Sequence, residues 1–563
     1  MLNSFKSILG IFWLVRTVKN TFFCLYLWQL KEYHLSRFIS HFDTEKGKRL
    51  LLNPLNFLKV IFLFFIFFIQ VLFLSQILLM IYIIESFHAF KNIFQKKLKL
   101  PILTKKIIFL ALVSIILEIS YFISIFSLPV PLFAFYLLVF DILTLVIISG
   151  IVLFFQPLAA LARLLIIKRA IRKRAAFKDL IVVGITGSYG KTSTKEFLST
   201  ILSERFKVLK TKEHQNSEVG VSQCILKELR SEHRFFVVEM GAYNKGGIRL
   251  LCNIAKPKIG ILTGINEQHM ATFGSEENII QGKYELIESL PKDGLAIFNG
   301  DNNYCFELHE NTEISKRLSI SNVPAREKIV KADAWAENIR VGKDYLSFKV
   351  FTKDGEEADF KVNLLGAQNV ENILMAVIAA KELGMNLNEI SDACKKIKKE
   401  QGGMRLIKSN KGFNIIDSTY SSNPNGVIAN LEYLKAWQGN PEGKPPYTIA
   451  SGELRGKSAS YGARKIIIMP CLIELGKSAA EVHKRIGEKI GQICDLAIIT
   501  TKDYFKELKD GSASSPQGGA EVLFIEDSKK IFEKIKDFNS PEDVILLQSR
   551  VPRELIDLLT KPH

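Results

Sequence analysis

The sequence predicts an α/β protein preceded by an α-helical transmembrane module, and three observations carry that reading. After residue 180 the chain alternates short apolar runs with helical patterns, the texture of a parallel α/β sheet. Before residue 180 stand uncharged or nearly uncharged stretches long enough to cross a bilayer. Between them, Gly187-Ser188-Tyr189-Gly190-Lys191-Thr192 follows the apolar run 180–185 and opens a helix, the setting of a phosphate-binding loop.

The membrane module is read over residues 1–160. Residues 8–30 are apolar and aromatic but interrupted by Arg16, Lys19 and Asn20, which predicts an interfacial helix. Three spans follow: 60–84, uncharged; 107–126, with Glu118 as its one charge; and 130–155, with Asp141. The Ser127-Leu128-Pro129 link makes the last two a hairpin, with Glu118 and Asp141 at similar depth. Carboxylates there predict a shared proton or pairing with a cation from another segment; they read either as two protonated acids in interhelical hydrogen bonds or as a contact to a membrane partner or the head group of a lipid-linked substrate.

Charge is distributed unevenly. Residues 1–180 hold 22 Lys and Arg against 7 Asp and Glu, so the front third carries +15 of the net +18. A nucleic-acid enzyme would carry its basic patch on the folded domain, so this class is excluded in favour of basic segments beside anionic membrane lipid. A basic juxtamembrane linker, 161–179, leads out of the membrane. ATP use would place everything after it in the cytoplasm, as in a multi-pass protein of the bacterial cytoplasmic membrane. With a single span over 60–84, the basic stretch 31–56 then falls outside, against the positive-inside tendency. The seven cysteines show no metal or disulfide spacing and read as reduced thiols.

A first α/β domain is read over 180–400, with strands near 180–186, 234–238, 258–263 and 295–299, an antiparallel insertion over 335–365, and helices near 368–383 and 387–399. Gln401-Gly402-Gly403 breaks the pattern. A second domain, 401–563, has strands near 412–416, 446–450, 495–500, 521–525 and 543–547, and a loop over 511–519.

The loop supplies the first chemistry. Its backbone N–H groups and the helix N-terminus suit nucleotide phosphates; Lys191 would reach the β- and γ-phosphates and the Thr192 hydroxyl would ligate Mg²⁺. The strict G-x-x-x-x-G-K-[ST] pattern fails, since Ile185 stands where its first glycine belongs, so the match is to the shorter form beginning at Gly184. Glu239 closes the apolar run Phe235-Phe-Val-Val238, where an unpaired carboxylate would be costly and a cation shared with Thr192 would relieve it.

Further motifs follow in order: Thr186-Gly-Ser-Tyr-Gly-Lys-Thr192, His214-Gln-Asn216, Val238-Glu239-Met-Gly241, Asn266-Glu-Gln-His269, Gly282-Lys283-Tyr-Glu285, Gly366-Ala-Gln-Asn369-Val-Glu-Asn372, Arg405, Asp417-Ser-Thr-Tyr-Ser-Ser-Asn423-Pro424 and Glu474-Leu-Gly476. As an ordered set over 180–563 they resemble the Mur ligases, ATP-dependent amide-forming enzymes of peptidoglycan assembly, and within them the D-alanyl-D-alanine-adding type. The resemblance implies a P-loop central domain, a Rossmann-like C-terminal domain, and an acyl-phosphate route from ATP to amide. It implies two Mg²⁺ ions, the first on Thr192 and Glu239, the second on His269 and a CO₂-carboxylated Lys283. Asn369 and Asn372 would present amides to adenine, Arg405 would reach the γ-phosphate, and Asp417 would sit at the nucleotide across a closing cleft. The expected substrates are ATP, a UDP-linked or lipid-linked muropeptide acceptor, and D-alanyl-D-alanine or a similar amine.

Three departures stand out. Gln368 replaces the family's histidine, Asp417-Ser418 replaces a paired aspartate with Ser421 in place of an asparagine, and the membrane module occupies the place of the UDP-binding domain. The competing readings are a folylpolyglutamate- or cyanophycin-type ligase, or a membrane-bound nucleotide sensor or scaffold.

Overall fold

The computed structural model describes residues 2–561 apart from 43, 52–53, 70–71, 96–97, 214, 322–330, 410–411, 421, 438–446, 451–452, 455–462, 517–518 and 537–539. His214 and Ser421 therefore lie outside the described residues. The chain divides into two compact units, Met1–Leu164 and Leu165–His563.

The first unit is helical: α1 (Leu2–Leu30), α2 (Leu35–His41), α3 (Glu45–Leu51), α4 (Pro54–Ile69), α5 (Leu72–Phe94), α6 (Lys105–Ile125), α7 (Val130–Phe154) and the start of α8 (Gln156–Ala175). Five stretches among the described residues are long and apolar enough to cross a membrane: Leu2–Leu30, Gly47–Ile69, Leu72–Phe94, Lys105–Ile125 and Val130–Ala175. Two expectations change. The segment 8–30, read as interfacial, belongs to a continuous 29-residue helix whose Trp13, Arg16 and Thr17 are buried against other helices rather than left at a surface. The stretch 60–84, read as one span, is divided between α4, which ends at Ile69, and α5, which starts at Leu72; in the sequence the only mark of this division is one uncharged polar residue, Gln70, within a long apolar run.

Helix α1 is the hub. Gly10 lets α6 approach so closely that a Cβ there would lie 2.0 Å from the Phe122 ring. Trp13 Nε1 donates to the Leu137 carbonyl at 2.9 Å and Trp28 Nε1 to Ser149 Oγ at 3.0 Å. At one end of the bundle Lys6 Nζ donates to the Phe126 carbonyl (2.9 Å); at the other, Gln29 exchanges hydrogen bonds with Ile102, and Gln156 Nε2 donates to the Tyr33 carbonyl (2.7 Å).

Glu118 and Asp141 do not pair with each other. Thr21 Oγ1 donates to Glu118 Oε1 at 2.6 Å. Asp141 instead joins Arg16, Lys59 and Glu85: Oδ2 lies 3.0 Å from Lys59 Nζ and 3.3 Å from Arg16 Nε, and Glu85 Oε2 lies 2.8 Å and 2.6 Å from the same two cations. Four helices thus contribute one charge each to a cluster near their midpoints.

The second unit holds two sheets. In the first, β1 (Ile181–Thr186), β2 (Val208–Lys210), β3 (Phe235–Glu239), β4 (Ile259–Leu262), β5 (Leu295–Asn299), β6 (Ser315–Ile320) and β7 (Ala334–Val341) run parallel in the order β2-β3-β1-β4-β5-β6-β7. The meander β7–β8 (Leu346–Thr352)–β9 (Glu357–Val362) is antiparallel, as the alternation over 335–365 predicts. In the second sheet, β10 (Arg405–Lys408), β11 (Asn414–Ser418), β14 (Lys465–Met469), β15 (Leu496–Ile499), β16 (Glu521–Phe524) and β17 (Val544–Gln548) lie in the order β10-β11-β17-β14-β15-β16.

The run near 446–450 is a strand, β12 (Tyr447–Ala450), but it pairs antiparallel with β7 and extends the first sheet through the hairpin to β13 (Glu453–Leu454). One of the second sheet's interior strands, β14, is an apolar run, Lys465-Ile-Ile-Ile-Met469, absent from the strands expected from sequence. The stretch 511–519 is helical through Ala513. All seven cysteines are buried, free thiols.

Candidate active site

Strand order reverses around β1, which places its C-terminal end, with that of β3, at the topological switch point where open α/β sheets bind ligands. The chain leaves β1 through Gly187 (φ +150°), where a Cβ would lie 2.2 Å from Thr263 Oγ1, so glycine permits the close turn. Ser188 N donates to the Gly264 carbonyl at 2.7 Å, and Gly190 in the left-handed region caps α9 (Lys191–Leu202). Thr186 Oγ1 anchors to the Met240 carbonyl (2.9 Å), and Asn302 Nδ2 donates to the Tyr189 hydroxyl (3.3 Å). The loop is thereby fixed from both neighbouring strands.

Lys191 Nζ curls onto the Gly187 and Ser188 carbonyls at 2.7 and 3.3 Å. Burial holds its ammonium below the ordinary lysine range, with Glu239 opposing. In the first turn of α9, Thr192 Oγ1 donates to Glu239 Oε2 at 3.0 Å, so the hydroxyl and carboxylate expected to share a cation face each other. Glu239 is 5 % exposed, and Lys195 Nζ (3.4 Å) and Asn216 Nδ2 (3.1 Å) also contact it. Lys195, one turn beyond Lys191, was not singled out in the sequence; its distance of four residues on the helix was the available signal.

His269 caps the turn Met270–Phe273 with a left-handed backbone (φ +68°). Its Nδ1 lies 2.8 Å from Glu474 Oε2, and its ring stands edge-on to Tyr243. Burial lowers its pKa, Glu474 opposes, and Lys283 and Lys191 push it down further. Lys283, on α13 (Glu276–Glu288), is fully buried with Nζ donating to the Ala242 carbonyl at 3.2 Å; burial and then Lys191 bring it down to about 7. Lys191, Glu239, His269 and Lys283 thus gather at one site from four segments.

Other expected residues sit elsewhere. Asn369 Nδ2 donates to the Leu365 and Gly402 carbonyls (2.8 and 3.2 Å), tying the helix Gln368–Glu382 to the interdomain break; its buried Oδ1 has no partner among the described residues. Asn372 Oδ1 accepts from Thr194 Oγ1 at 3.2 Å and backs the loop at Gly190. Arg405 is exposed on β10, in register with Asp417 on β11, and Asp417 Oδ1 accepts from the Thr419 backbone and hydroxyl (3.0 and 2.7 Å). Ser418, where the family pattern has an aspartate, accepts from Asn430 Nδ2 (2.7 Å), which also donates to Gln548. Tyr420, overlooked within its motif, hydrogen-bonds Thr192, and burial followed by Glu239 raises its phenol's pKa.

No three imidazole, carboxylate or thiolate groups converge as a ready metal cage among the described residues. Magnesium takes hard oxygen ligands and keeps phosphate and water in its shell, so the Thr192–Glu239 pair fits it. A second cation fits His269 and Lys283 only once the lysine carries an anionic oxygen.

Residues 185–380 match the Mur ligase middle domain family. A UDP-N-acetylmuramoyl-tripeptide--D-alanyl-D-alanine ligase of Synechocystis is 26% identical over 369 residues, covering 65% of this chain and 71% of the relative. By structure, the chain is similar to MurF from Acinetobacter baumannii (TM-score 0.59, 22% identity, 71% of this chain and 81% of that one). It is also similar to MurF ligase from Thermotoga maritima in complex with ADP (TM-score 0.55, 22% identity, 69% and 80%). These structural likenesses establish the fold, two α/β sheets arranged as in those proteins; in this chain long apolar helices precede them in sequence.

Proposed function

We propose that the chain works as a Mur-type ligase, an ATP-dependent amide-forming enzyme, and that it adds D-alanyl-D-alanine, or a similar amine, to the peptide carboxylate of a muropeptide presented at the bacterial cytoplasmic membrane. The observation that carries the ATP-dependent step is the Thr192–Glu239 pair beside a half-buried Lys191 at the C-terminal end of β1. In the reaction an acceptor carboxylate oxygen attacks the γ-phosphorus, ADP leaves, and the amine nitrogen then displaces phosphate from the acyl phosphate and loses a proton.

The chain's groups serve that sequence. Lys191 exchanges its loop carbonyls for phosphate oxygens, and the backbone N–H groups of the loop hold the phosphates in place. Thr192 and Glu239 would hold one Mg²⁺, and His269 and carboxylated Lys283 a second; bound there, the ions supply positive charge against the phosphate oxygens. Because burial brings Lys283 to about 7, much of its amine is neutral at physiological pH and open to CO₂, which forms the N–C bond with release of a proton.

The amine is supported by the name of the Synechocystis relative. A lipid-linked acceptor, rather than a UDP-linked one, is supported by the apolar helices that precede β1. Their topology supports a cytoplasmic ligase. If all five stretches cross, the basic segments 31–49, 91–106 and 163–178 share one face with the ligase, and the short links 70–71 and 126–129 fall on the other. The positive-inside conflict of a three-span reading then disappears.

The test is the full chain in detergent with ATP, Mg²⁺, bicarbonate and D-alanyl-D-alanine, offered UDP-linked or polyprenyl-linked tripeptide, with phosphate release and product mass as readouts. Turnover on the polyprenyl-linked acceptor is expected. Turnover confined to the UDP-linked one overturns the lipid assignment, and none on either overturns the muropeptide assignment. Glu239→Ala is expected to move the Mg²⁺ requirement upward; an unchanged Mg²⁺ curve removes it from the metal site.

A further inference from the structure

Glu474 belongs to the C-terminal half of the α/β unit, beyond β14, yet it reaches His269 and Ala271 of the central domain. Its backbone is left-handed (φ +67°), its Oε2 lies 2.8 Å from His269 Nδ1, and its carbonyl accepts from Ala271 N at 3.1 Å. Two residues on, Gly476 approaches so closely that a Cβ there would lie 3.1 Å from Ala271 N. Asn266 Nδ2 donates to Asn425 Oδ1 at 2.8 Å, and Arg485 pairs with Glu267 at 3.1 Å. Segment 266–271, which carries His269, is thus gripped from three places in the C-terminal half. Of these grips, the one from Glu474 falls on a ring nitrogen.

With Nδ1 engaged by a carboxylate, Nε2 is the nitrogen left to face a cation, and the ring's orientation is set. Carboxylates commonly orient histidine ligands in this way, at a typical cost of about 10- to 100-fold in metal affinity when lost. We propose that Glu474 is a positioning residue supplied by the C-terminal domain, fixing His269 so that the second cation site is complete only when the two domains are apposed. The proposal rests on the ligase reading above for the identity of the cation. It makes domain closure and metal loading one event: a nucleotide bound to an open enzyme meets a His269 free to turn, and the reactive arrangement waits for the second domain. A plain interdomain latch would hold the domains together without altering how tightly a cation binds.

The two are separated with Mn²⁺ as probe. Full-length protein in detergent with ADP and bicarbonate is titrated with Mn²⁺ and bound metal is counted by electron paramagnetic resonance. Wild type is expected to bind two ions. Glu474→Ala is expected to weaken the second about 10- to 100-fold and leave the first in place. Glu474→Gln, whose amide oxygen still accepts from Nδ1–H, is expected to recover most of that affinity. His269→Ala with Glu474→Ala is expected to be no worse than His269→Ala alone, and Arg485→Ala, which loosens another grip, to leave the second ion bound. Unchanged second-ion affinity in Glu474→Ala, even with a lowered melting temperature, overturns the proposal alone, as does an equal loss in Arg485→Ala. A single ion in wild type overturns the two-cation reading and the proposal with it.

Discussion

The chain buries charge in two places and treats it in opposite ways. In the helical unit, Arg16, Lys59, Glu85 and Asp141 offset one another, two charges of each sign within 3.3 Å contacts. In the α/β unit, half-buried Lys191 and fully buried Lys283 donate to backbone carbonyls; burial lowers the proton affinity of both, and the charge of Lys191 lowers that of Lys283 further. Ionic groups in an apolar interior are expensive unless paired, so a closed cluster holds helices in register, whereas an open one keeps its field for a ligand. Glu118 and Asp141, which the sequence offered together as candidates for binding a partner or head group, are absorbed by Thr21 and by the cluster.

The largest effect should come from breaking the closed cluster. Asp141→Asn leaves Lys59 and Arg16 short of a counter-charge and should destabilise the helical unit by about 3–5 kcal/mol in denaturant titration, with Lys59→Met in the same chain recovering part of it. Phosphate release per folded molecule should not change. A cost under about 1 kcal/mol would remove the contrast between the two regions.

Opening the ligand-facing set should act the other way round. Lys191→Ala should cut phosphate release on the order of 10²- to 10³-fold and leave the melting temperature unchanged or higher, since an ammonium without a carboxylate partner is removed. A stability loss as large as that of Asp141→Asn would mean both regions are scaffolding.

Lys283 sharpens the comparison through pH. Only the neutral amine takes up CO₂, so activation of bicarbonate-depleted enzyme should rise about tenfold between pH 6 and pH 8 and level off above about 7. An unperturbed lysine would keep gaining about tenfold per pH unit. Stability carries the matching sign: the folded chain releases this proton near 7 and the unfolded chain only near 10.5, so the uncarboxylated protein should gain stability as pH rises across that window. A flat profile there would place Lys283 in water.

The smallest change is expected at Glu118, which Thr21 contacts and which has no cation beside it among the described residues. Glu118→Gln keeps the hydrogen bond and should cost under about 1 kcal/mol in the same denaturant titration. A loss comparable to that of Asp141→Asn would bring Glu118 into the cluster's charge balance.

Much of the α/β unit was legible because its strands are buried on both faces and read as continuous apolar runs; β1, β3, β4 and β5 fall where those runs do. The same property hid the division between α4 and α5, since a single uncharged Gln70 is a weak boundary within a phenylalanine-rich stretch. Strand β12 was legible as a strand but not as a partner of β7, because register between distant segments leaves no local mark. In the site, the loop, Glu239, His269 and Lys283 were visible from their motifs. Lys195, Tyr420 and Glu474 were not assigned roles, since each acts by reaching a residue far off in sequence. Asn369, expected at adenine from its motif, has Nδ2 engaged by the interdomain break and a buried Oδ1 with no partner among the described residues.

The seven buried cysteines turn the molecule into its own reporter. Burial raises the Cys224 and Cys252 thiols to about 12, so at neutral pH almost no thiolate is exposed to an alkylating reagent. Maleimide uptake by the native sequence should therefore track global or sub-global opening and serve as a clock for unfolding. A single cysteine placed in a turn of the helical unit would label against a silent background, so the sidedness of each turn can be read in intact cells without first stripping the chain of its own sulfur.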